Sequence, residues 1–396
     1  MKPLQLRQEM AEELDNILRF WLEHAVDREH GGFAGLIRGD MTTVPEAPKG
    51  LVLNTRILWT FARAFRHDPK PEYLEMAERA LQYLETYFRD PDYPGYFWMV
   101  DYKGQPLQTK KQIYGLAFYL YALSELILAT GREDLLPLAE EVFEAVELGF
   151  DPVHSGYVEA CARDWSEDEQ EGESIHEQNE KKSMNAHLHV LEAYTNYYRV
   201  VQTPKLKERF ERLLRDMLDR IVDEENGRFH LYFDGDWTLK SHVTSYGHDI
   251  EGSWLLLEAA ELFGDPELLE RTRNAALKMA DAVLANGVDT DGAVMWEGDE
   301  NGVFDTDKHW WVQAEAVVGF VNAWQMTGDE RYWKAAADCW TFTRGHIVDP
   351  VHGEWFSRTD REGTPDSHAP KVNEWKCPYH NGRACFEIIE RLNPGV

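Results

Sequence analysis

The sequence predicts an all-α fold: an (α/α)6 barrel, a toroid of six helical hairpins in an inner and an outer layer, with long loops and short strands at the active-site end. Three observations predict it. A turn motif, an Asp followed by a Gly-containing turn and then a large apolar residue, occurs six times, from Asp27 to Phe33, Asp90 to Tyr96, Asp151 to Tyr157, Asp223 to Phe229, Asp289 to Met295 and Asp349 to Trp355. The Asp positions are 63, 61, 72, 66 and 60 residues apart, a period that marks one supersecondary unit stacked on copies of itself. Between successive motifs lie two segments whose apolar residues recur every three or four positions, as helices buried along one face require.

Taken in order, the pairs cover about 51–65 with 73–88, 111–130 with 133–149, 183–200 with 205–222, 248–264 with 266–285, and 309–327 with 330–345. A single helix near 5–25 precedes the first motif, and one near 380–392 follows the last. The chain ends therefore supply the two halves of a sixth hairpin and close the ring. With no composition shift to mark a linker, residues 1–396 are read as one domain, a size that repeat toroids reach because each unit contacts only its neighbours. The acidic stretch from Asp164 to Lys182 accounts for the longest spacing and reads as a solvated surface loop, with a functional lid as the alternative.

Composition narrows the partners. With 41 basic against 71 acidic residues, the chain's field repels nucleic acid and anionic lipid, so a neutral small molecule is expected. No segment reaches the roughly 18 continuous apolar residues of a membrane span, and the start is an amphipathic helix without a signal core; the expectation is a cytoplasmic protein. Cys161, Cys339, Cys377 and Cys385 have neither paired nor zinc-ligand spacing and are expected as free thiols. A monomer is expected, with a homodimer as the alternative.

Corresponding positions of a ring face a common centre, so polar residues near the starts of the inner helices mark a site. They are Arg56, Tyr114, Asn185 with His187 and His189, His248 with Glu251, Trp310 and Trp311 with Glu315, and His380 with Asn381 and Arg383. His248 and Glu251 are three apart on one helix face, where a carboxylate orients an imidazole. His187 and His189 point to different sides, and His189 is taken as the cavity residue because Asn185 lies one turn earlier on its face. No HExxH motif or ligand-spaced carboxylate cluster occurs, and no Gly-rich phosphate loop, so neither metal nor cofactor is expected. Several of the 14 Trp, namely Trp237, Trp310, Trp311 and Trp375, stand beside these polar positions. Aromatic faces with His, Arg and Glu edges suit a sugar, whose C–H face stacks while its hydroxyls take the polar groups.

Five runs then carry a resemblance: APKGLVLNTRILWTFARAF (47–65), SMNAHLHVLEAYTNYYRV (183–200), SYGHDIEGSWLLLEA (245–259), DTDKHWWVQAEAVVGF (305–320) and EWKCPYHNGRACFE (374–387). They are similar, end to end and in the same order, to those of the bacterial cellobiose 2-epimerases, in the N-acylglucosamine 2-epimerase superfamily of (α/α)6 barrels. The stretch 164–182 does not align with them and leaves the preferred non-reducing-end sugar open. The resemblance implies that His248 and His380 are the acid/base pair at C2 of the reducing-end sugar. It implies that Arg56, Asn185 and His189 hold the sugar oxygens, with His189 also assisting ring opening, and that Tyr114, Trp311 and Trp375 shape and stack the site. Glu251 would orient His248, and Glu315 would bind substrate or else pair with an Arg.

The implied reaction is epimerisation of the reducing-end glucose or mannose unit of β-1,4-linked disaccharides such as cellobiose, lactose and mannobiose. Free mannose and glucose as substrates, or aldose–ketose isomerisation, are alternatives within the same chemistry. A glycoside hydrolase using Glu159, Asp249 or Glu315, and a sugar-binding protein without catalysis, are the more distant ones.

Overall fold

The computed structural model describes residues 1–166 and 180–393. Residues 167–179, most of the acidic stretch read above as a loop or lid, lie outside the described residues.

Helix boundaries follow the hydrophobic spacing closely. The outer layer comprises α1 (Pro3–His24), α3 (Pro71–Tyr83), α5 (Leu136–Glu147), α7 (Pro204–Asp216), α9 (Pro266–Asn286) and α11 (Glu330–Phe342). The inner layer comprises α2 (Leu51–His67), α4 (Ile113–Thr130), α6 (Met184–Val200), α8 (Tyr246–Phe263), α10 (Trp310–Thr327) and α12 (Tyr379–Arg391). Each inner helix packs on the next, and α12 packs on α2, which closes the ring; α1 packs outside α12 as the sixth hairpin.

The two layers differ as their surroundings require. Outer helices bury one stripe: in α7 it is Leu206, Phe210, Leu213 and Leu214, each contributing about 1.5–3 kcal/mol of burial. Inner helices are enclosed on all sides, so α4 is buried without a break from Ile113 to Ile127. Proline in the first turn starts α1, α3, α5, α7 and α9, where its missing N–H costs no helical hydrogen bond. Gly131 and Gly264 end α4 and α8 with φ of 69° and 80°, the left-handed conformation that favours glycine.

The recurrent Asp has a structural task. One carboxylate oxygen of Asp27, Asp90, Asp151, Asp223 and Asp349 accepts backbone N–H groups two and three residues on, which fixes the turn. The other oxygen takes a lysine from the next crossing of the chain: Lys49 with Asp27 (2.7 Å), Lys111 with Asp90 (2.7 Å), Lys182 with Asp151 (2.8 Å), Lys308 with Asp289 (3.2 Å) and Lys371 with Asp349 (2.8 Å). All five lysines are buried. Four of them stand two residues before an inner helix, in two-residue strands that pair with the following loop. In the fourth unit Thr244 occupies that place, and Arg228 substitutes, donating to Thr244 Oγ1 (3.1 Å) with its Nε 3.5 Å from Asp223. Each clamp thus ties the return from an outer helix to the start of the next inner one.

Lys371 and Asp349 are both nearly sealed from solvent, at 1% and 3% side-chain exposure. Lys371→Met leaves the carboxylate buried without its cation and is expected to lower stability by about 3–5 kcal/mol. Denaturant unfolding measures this, and a loss below about 1 kcal/mol would mean that the clamps are incidental to the ring.

Candidate active site

The inner helices all begin at one end of the ring, and their first two turns converge on a cavity of about 250 Å3. Arg56, Tyr114, Asn185, His189, His248, Glu251, Trp311, Trp375 and His380 line it, as do Trp296, His309 and Trp310. Ten of the residues singled out for the site from the sequence, Trp310 included, therefore meet in one place, although they come from six inner helices and a loop. Trp375 is the exposed member of the wall, at 37%.

Each imidazole is held through Nδ1. His189 Nδ1 pairs with Glu192 Oε2 at 2.9 Å, His248 Nδ1 with Ser245 Oγ at 2.8 Å, and His380 Nδ1 with Glu315 Oε1 at 2.7 Å. None of the three Nε2 atoms has a protein partner among the described residues, so the free nitrogens are available to a ligand. Trp311 packs on two of them, its ring 4.7 Å from that of His248 and 5.5 Å from that of His380. Burial, reinforced by His189, drives the His248 pKa down to about 3. Burial, with Arg56 and Arg383 adding to it, holds His380 well below the ordinary imidazole range. Both rings are neutral near pH 7.

Beneath the cavity Arg383 gathers three carboxylates from three helices. Its Nη2 donates to Glu251 Oε1 (2.5 Å) and Glu315 Oε1 (2.7 Å), and its Nη1 donates to Glu192 Oε1, which also accepts from the Tyr379 hydroxyl. Burial opposes the charge on Glu192, but Arg383 and the hydrogen bonds from His189 and Tyr379 outweigh it and bring the carboxyl down to about 2. Burial, then the neighbouring Glu315, push Glu251 up to about 7 against Arg383. The carboxylates Glu251 and Glu315 with His380 also stand close enough to hold a cation, a grouping that linear spacing hides because it spans α8, α10 and α12. Arg383 already supplies the positive charge there.

Arg56 is a buried cation of a different kind. It donates to the Tyr114 hydroxyl (2.5 Å) and the Trp375 carbonyl (3.3 Å) and packs its guanidinium on Phe118 and Tyr379, 4.3 and 4.8 Å from the ring centres. Among the described residues no carboxylate pairs with it. Asn185 Oδ1 is likewise buried without a partner. An unpaired cation and an unpaired acceptor on the wall of a cavity suit an oxygen-rich ligand that acquires negative charge.

Two expectations need correction. Glu251 does not orient His248: its carboxylate goes to Arg383, because a guanidinium attracts a buried carboxylate more strongly than a neutral imidazole does, and Ser245 takes the imidazole instead. The pairing of His and Glu three apart does occur, one unit earlier, as His189 with Glu192. Glu315 does not border the cavity; it holds His380, Arg383 and the Trp254 indole N–H, so the alternative of an Arg partner is the observed one.

Other polar positions are structural. The fourth residue of three inner helices accepts the backbone N–H of a turn residue: His187 from Tyr157 (2.8 Å), Asp249 from Phe229 (2.7 Å) and Gln313 from Val294 (2.9 Å). Trp237 packs on His187 behind α6, away from the cavity, and Asn381 donates to Glu354. Glu159 is bonded to Gln112 and Ser183, so none of the three carboxylates a hydrolase would have used faces the cavity. Sequence reasoning missed Trp296 and His309, which stack at 3.8 Å on the cavity wall. His309 directly precedes the Trp310–Trp311 pair and could have been found there, whereas Trp296 sits in a hairpin loop with no periodic signal. All four cysteines are buried thiols outside any disulfide.

Known proteins resemble this chain in sequence and fold. The family model described as N-acylglucosamine 2-epimerase (GlcNAc 2-epimerase) matches residues 8–382. A cellobiose 2-epimerase of Bacteroides fragilis is 44% identical over 387 residues, covering 97% of this chain and 98% of that protein. The solved structure of a cellobiose 2-epimerase from Bacillus thermoamylovorans superposes with a TM-score of 0.92 at 36% identity, over 98% of this chain and 99% of that one. A D-mannose isomerase structure, at 24% identity and a TM-score of 0.83 over 97% of each chain, shares the fold. The chain belongs to the N-acylglucosamine 2-epimerase family and is a carbohydrate epimerase, an isomerase.

Proposed function

We propose that the protein inverts C2 of the reducing-end glucose or mannose unit of β-1,4-linked disaccharides, cellobiose, lactose and mannobiose among them, by proton transfer between two histidines. The observation that carries this reading is the pair His248 and His380, brought from α8 and α12 to one cavity and both packed on Trp311, each with Nδ1 engaged and Nε2 free. The disaccharide preference rests on the similarity to cellobiose 2-epimerases.

The chemistry requires two groups. A C2 proton is removable only when C1 is a carbonyl, so the ring opens first; a base then takes the proton and leaves an enediolate. Inversion needs a proton from the opposite face. His380 donates Nδ1–H to Glu315, which leaves a lone pair on Nε2 and makes it the base. Ser245 Oγ holds His248 through Nδ1 and leaves Nε2 toward the cavity; once that ring has taken up a proton from solvent, its imidazolium is the acid that returns one to C2 from the opposite face and ends as neutral imidazole. In the reverse direction the roles exchange. Arg56 faces the charge on the enediolate oxygens, and Asn185 and His189 hold hydroxyls. No step calls for a metal or a nucleotide, so activity is expected to survive exhaustive chelation.

His248→Ala and His380→Ala are each expected to lower kcat by at least about 100-fold with the helical circular dichroism unchanged, the usual loss for a general acid or base. Near-normal turnover by either variant would remove that residue from the pair.

In deuterium oxide the epimer formed from cellobiose is expected to carry deuterium at C2, because histidines at an open cavity exchange their protons with water. Mass spectrometry and proton NMR read the label. Product that retains hydrogen at C2 would eliminate the two-histidine path, and release of glucose as the main reaction would replace the epimerase with a hydrolase. Parallel incubations with lactose, glucose and mannose test the disaccharide preference.

A further inference from the structure

Three carboxylates and one guanidinium share the space under the cavity, and they are not equally supplied with donors. Glu192 accepts from Arg383, Tyr379 and His189. Glu315 accepts from Arg383, His380 and Trp254. Those donors hold Glu192 ionised; at Glu315 burial still raises the carboxyl, but its three hydrogen bonds favour the charged form and oppose that rise. Glu251 has one donor, Arg383 on Oε1, while its Oε2 is buried without any partner, and its side chain borders the cavity. One guanidinium does not balance three buried negative charges, so one of the three holds a proton.

From this geometry we infer that Glu251 carries the proton on Oε2 and is the acid that opens the sugar ring, a step that rests on the epimerase reading and precedes the work of His248 and His380. Opening balances as follows. The Oε2–H bond breaks and the proton passes to the ring oxygen. The bond from C1 to that oxygen breaks, its electron pair staying on oxygen. C1=O forms as the anomeric hydroxyl gives its proton to His189 Nε2, whose lone pair is free because Nδ1–H is directed at Glu192.

The two charges produced have counterions waiting. Glu251 carboxylate lies on Arg383 Nη2, and His189 imidazolium lies on Glu192. The ionisable groups facing Glu251 are Glu315 on α10, Arg383, His380 and Tyr379 on α12, His189 and Glu192 on α6, and Arg56 on α2. Burial and Glu315 dominate among them and place its titration at about 7. An acid with that pKa is protonated below pH 7 and loses its proton above it, so ring opening should slow as pH rises through about 7.

Ring opening can be followed apart from epimerisation, as the interconversion of freshly dissolved α-lactose with its β anomer, read by polarimetry above the buffer rate. The wild-type protein should accelerate it, with a rate that falls above about pH 7. Glu251→Gln keeps the shape and an acceptor for Arg383 but has no acidic proton, and should lose at least about 100-fold of that acceleration with its circular dichroism unchanged. His248→Ala should keep the acceleration while losing C2 deuterium uptake. Glu251→Gln that opens lactose at the wild-type rate would overturn the assignment, as would a wild-type profile flat to pH 9. Equal loss of opening in Glu251→Gln and His248→Ala would overturn it too. A wild-type protein that opens lactose but never exchanges C2 would refute the epimerase reading and leave Glu251 as the ring-opening acid.

Discussion

The arrangement of the site depends on one buried cation. Arg383, 1% exposed, rises from α12 and ends among Glu192 of α6, Glu251 of α8 and Glu315 of α10. Through them it fixes two imidazoles it does not touch: Glu192 holds His189 and Glu315 holds His380. Buried pairs of this kind contribute little net stability, but losing one partner costs about 3–5 kcal/mol, because the other is left charged and dry. The hub therefore has little tolerance for alternative arrangements, which is what a site needing sub-ångström placement requires.

Two electrostatic systems thus serve different ends. The Asp–Lys clamps recur at five of the six turns, with Arg228 on Asp223 at the other, and build the ring's frame. The Arg383 hub occurs once and breaks the repeat at the centre. The clamps lie at the turns between outer and inner helices, so they set where each inner helix starts. Because each helix starts at the same level, a residue in its first two turns reaches the common cavity. A slip of one residue in an inner helix would rotate its polar side chain by about 100° and carry it out of the cavity.

This division explains what was legible in the sequence. The helices, their pairing and the closure of the ring follow from apolar period and from the recurrence of Asp, both local signals. Residues lining the cavity were legible because they repeat in position, near the start of each inner helix. The clamping lysines recur in five of the six units and were overlooked because an isolated Lys reads as a surface residue. Glu251 is the instructive failure. Spacing alone put it on the face of His248, but a helix offers a long side chain several directions, and the choice was made by Arg383, 132 residues away in the chain. The same spacing succeeded unnoticed at His189 and Glu192, where Arg383 takes Oε1 and the imidazole takes Oε2. Local geometry states which pairs are able to form, and long-range charge decides which do.

The distribution of charge also accounts for how a site made of neutral imidazoles handles ionic intermediates on a neutral sugar. Before reaction Arg56 is positive without a carboxylate, while the hub holds Arg383 against two ionised carboxylates and one protonated one, so the two regions together are close to neutral. On the proposed path ring opening and C2 deprotonation each make a pair of charges, and each member is met by a fixed opposite charge. Ring opening leaves Glu251 on Arg383 and His189 on Glu192. Removal of the C2 proton leaves His380 on Glu315 and the enediolate facing Arg56. In a buried site a new unpaired charge is costly, and reorienting dipoles to meet it is slow compared with having the counterion already in place. The same burial that depresses the His248 and His380 pKa values keeps those two rings neutral until substrate chemistry delivers a proton. For His380, low basicity in the empty cavity and competence as a base during turnover are then consistent, because Glu315 stabilises the protonated ring as it forms.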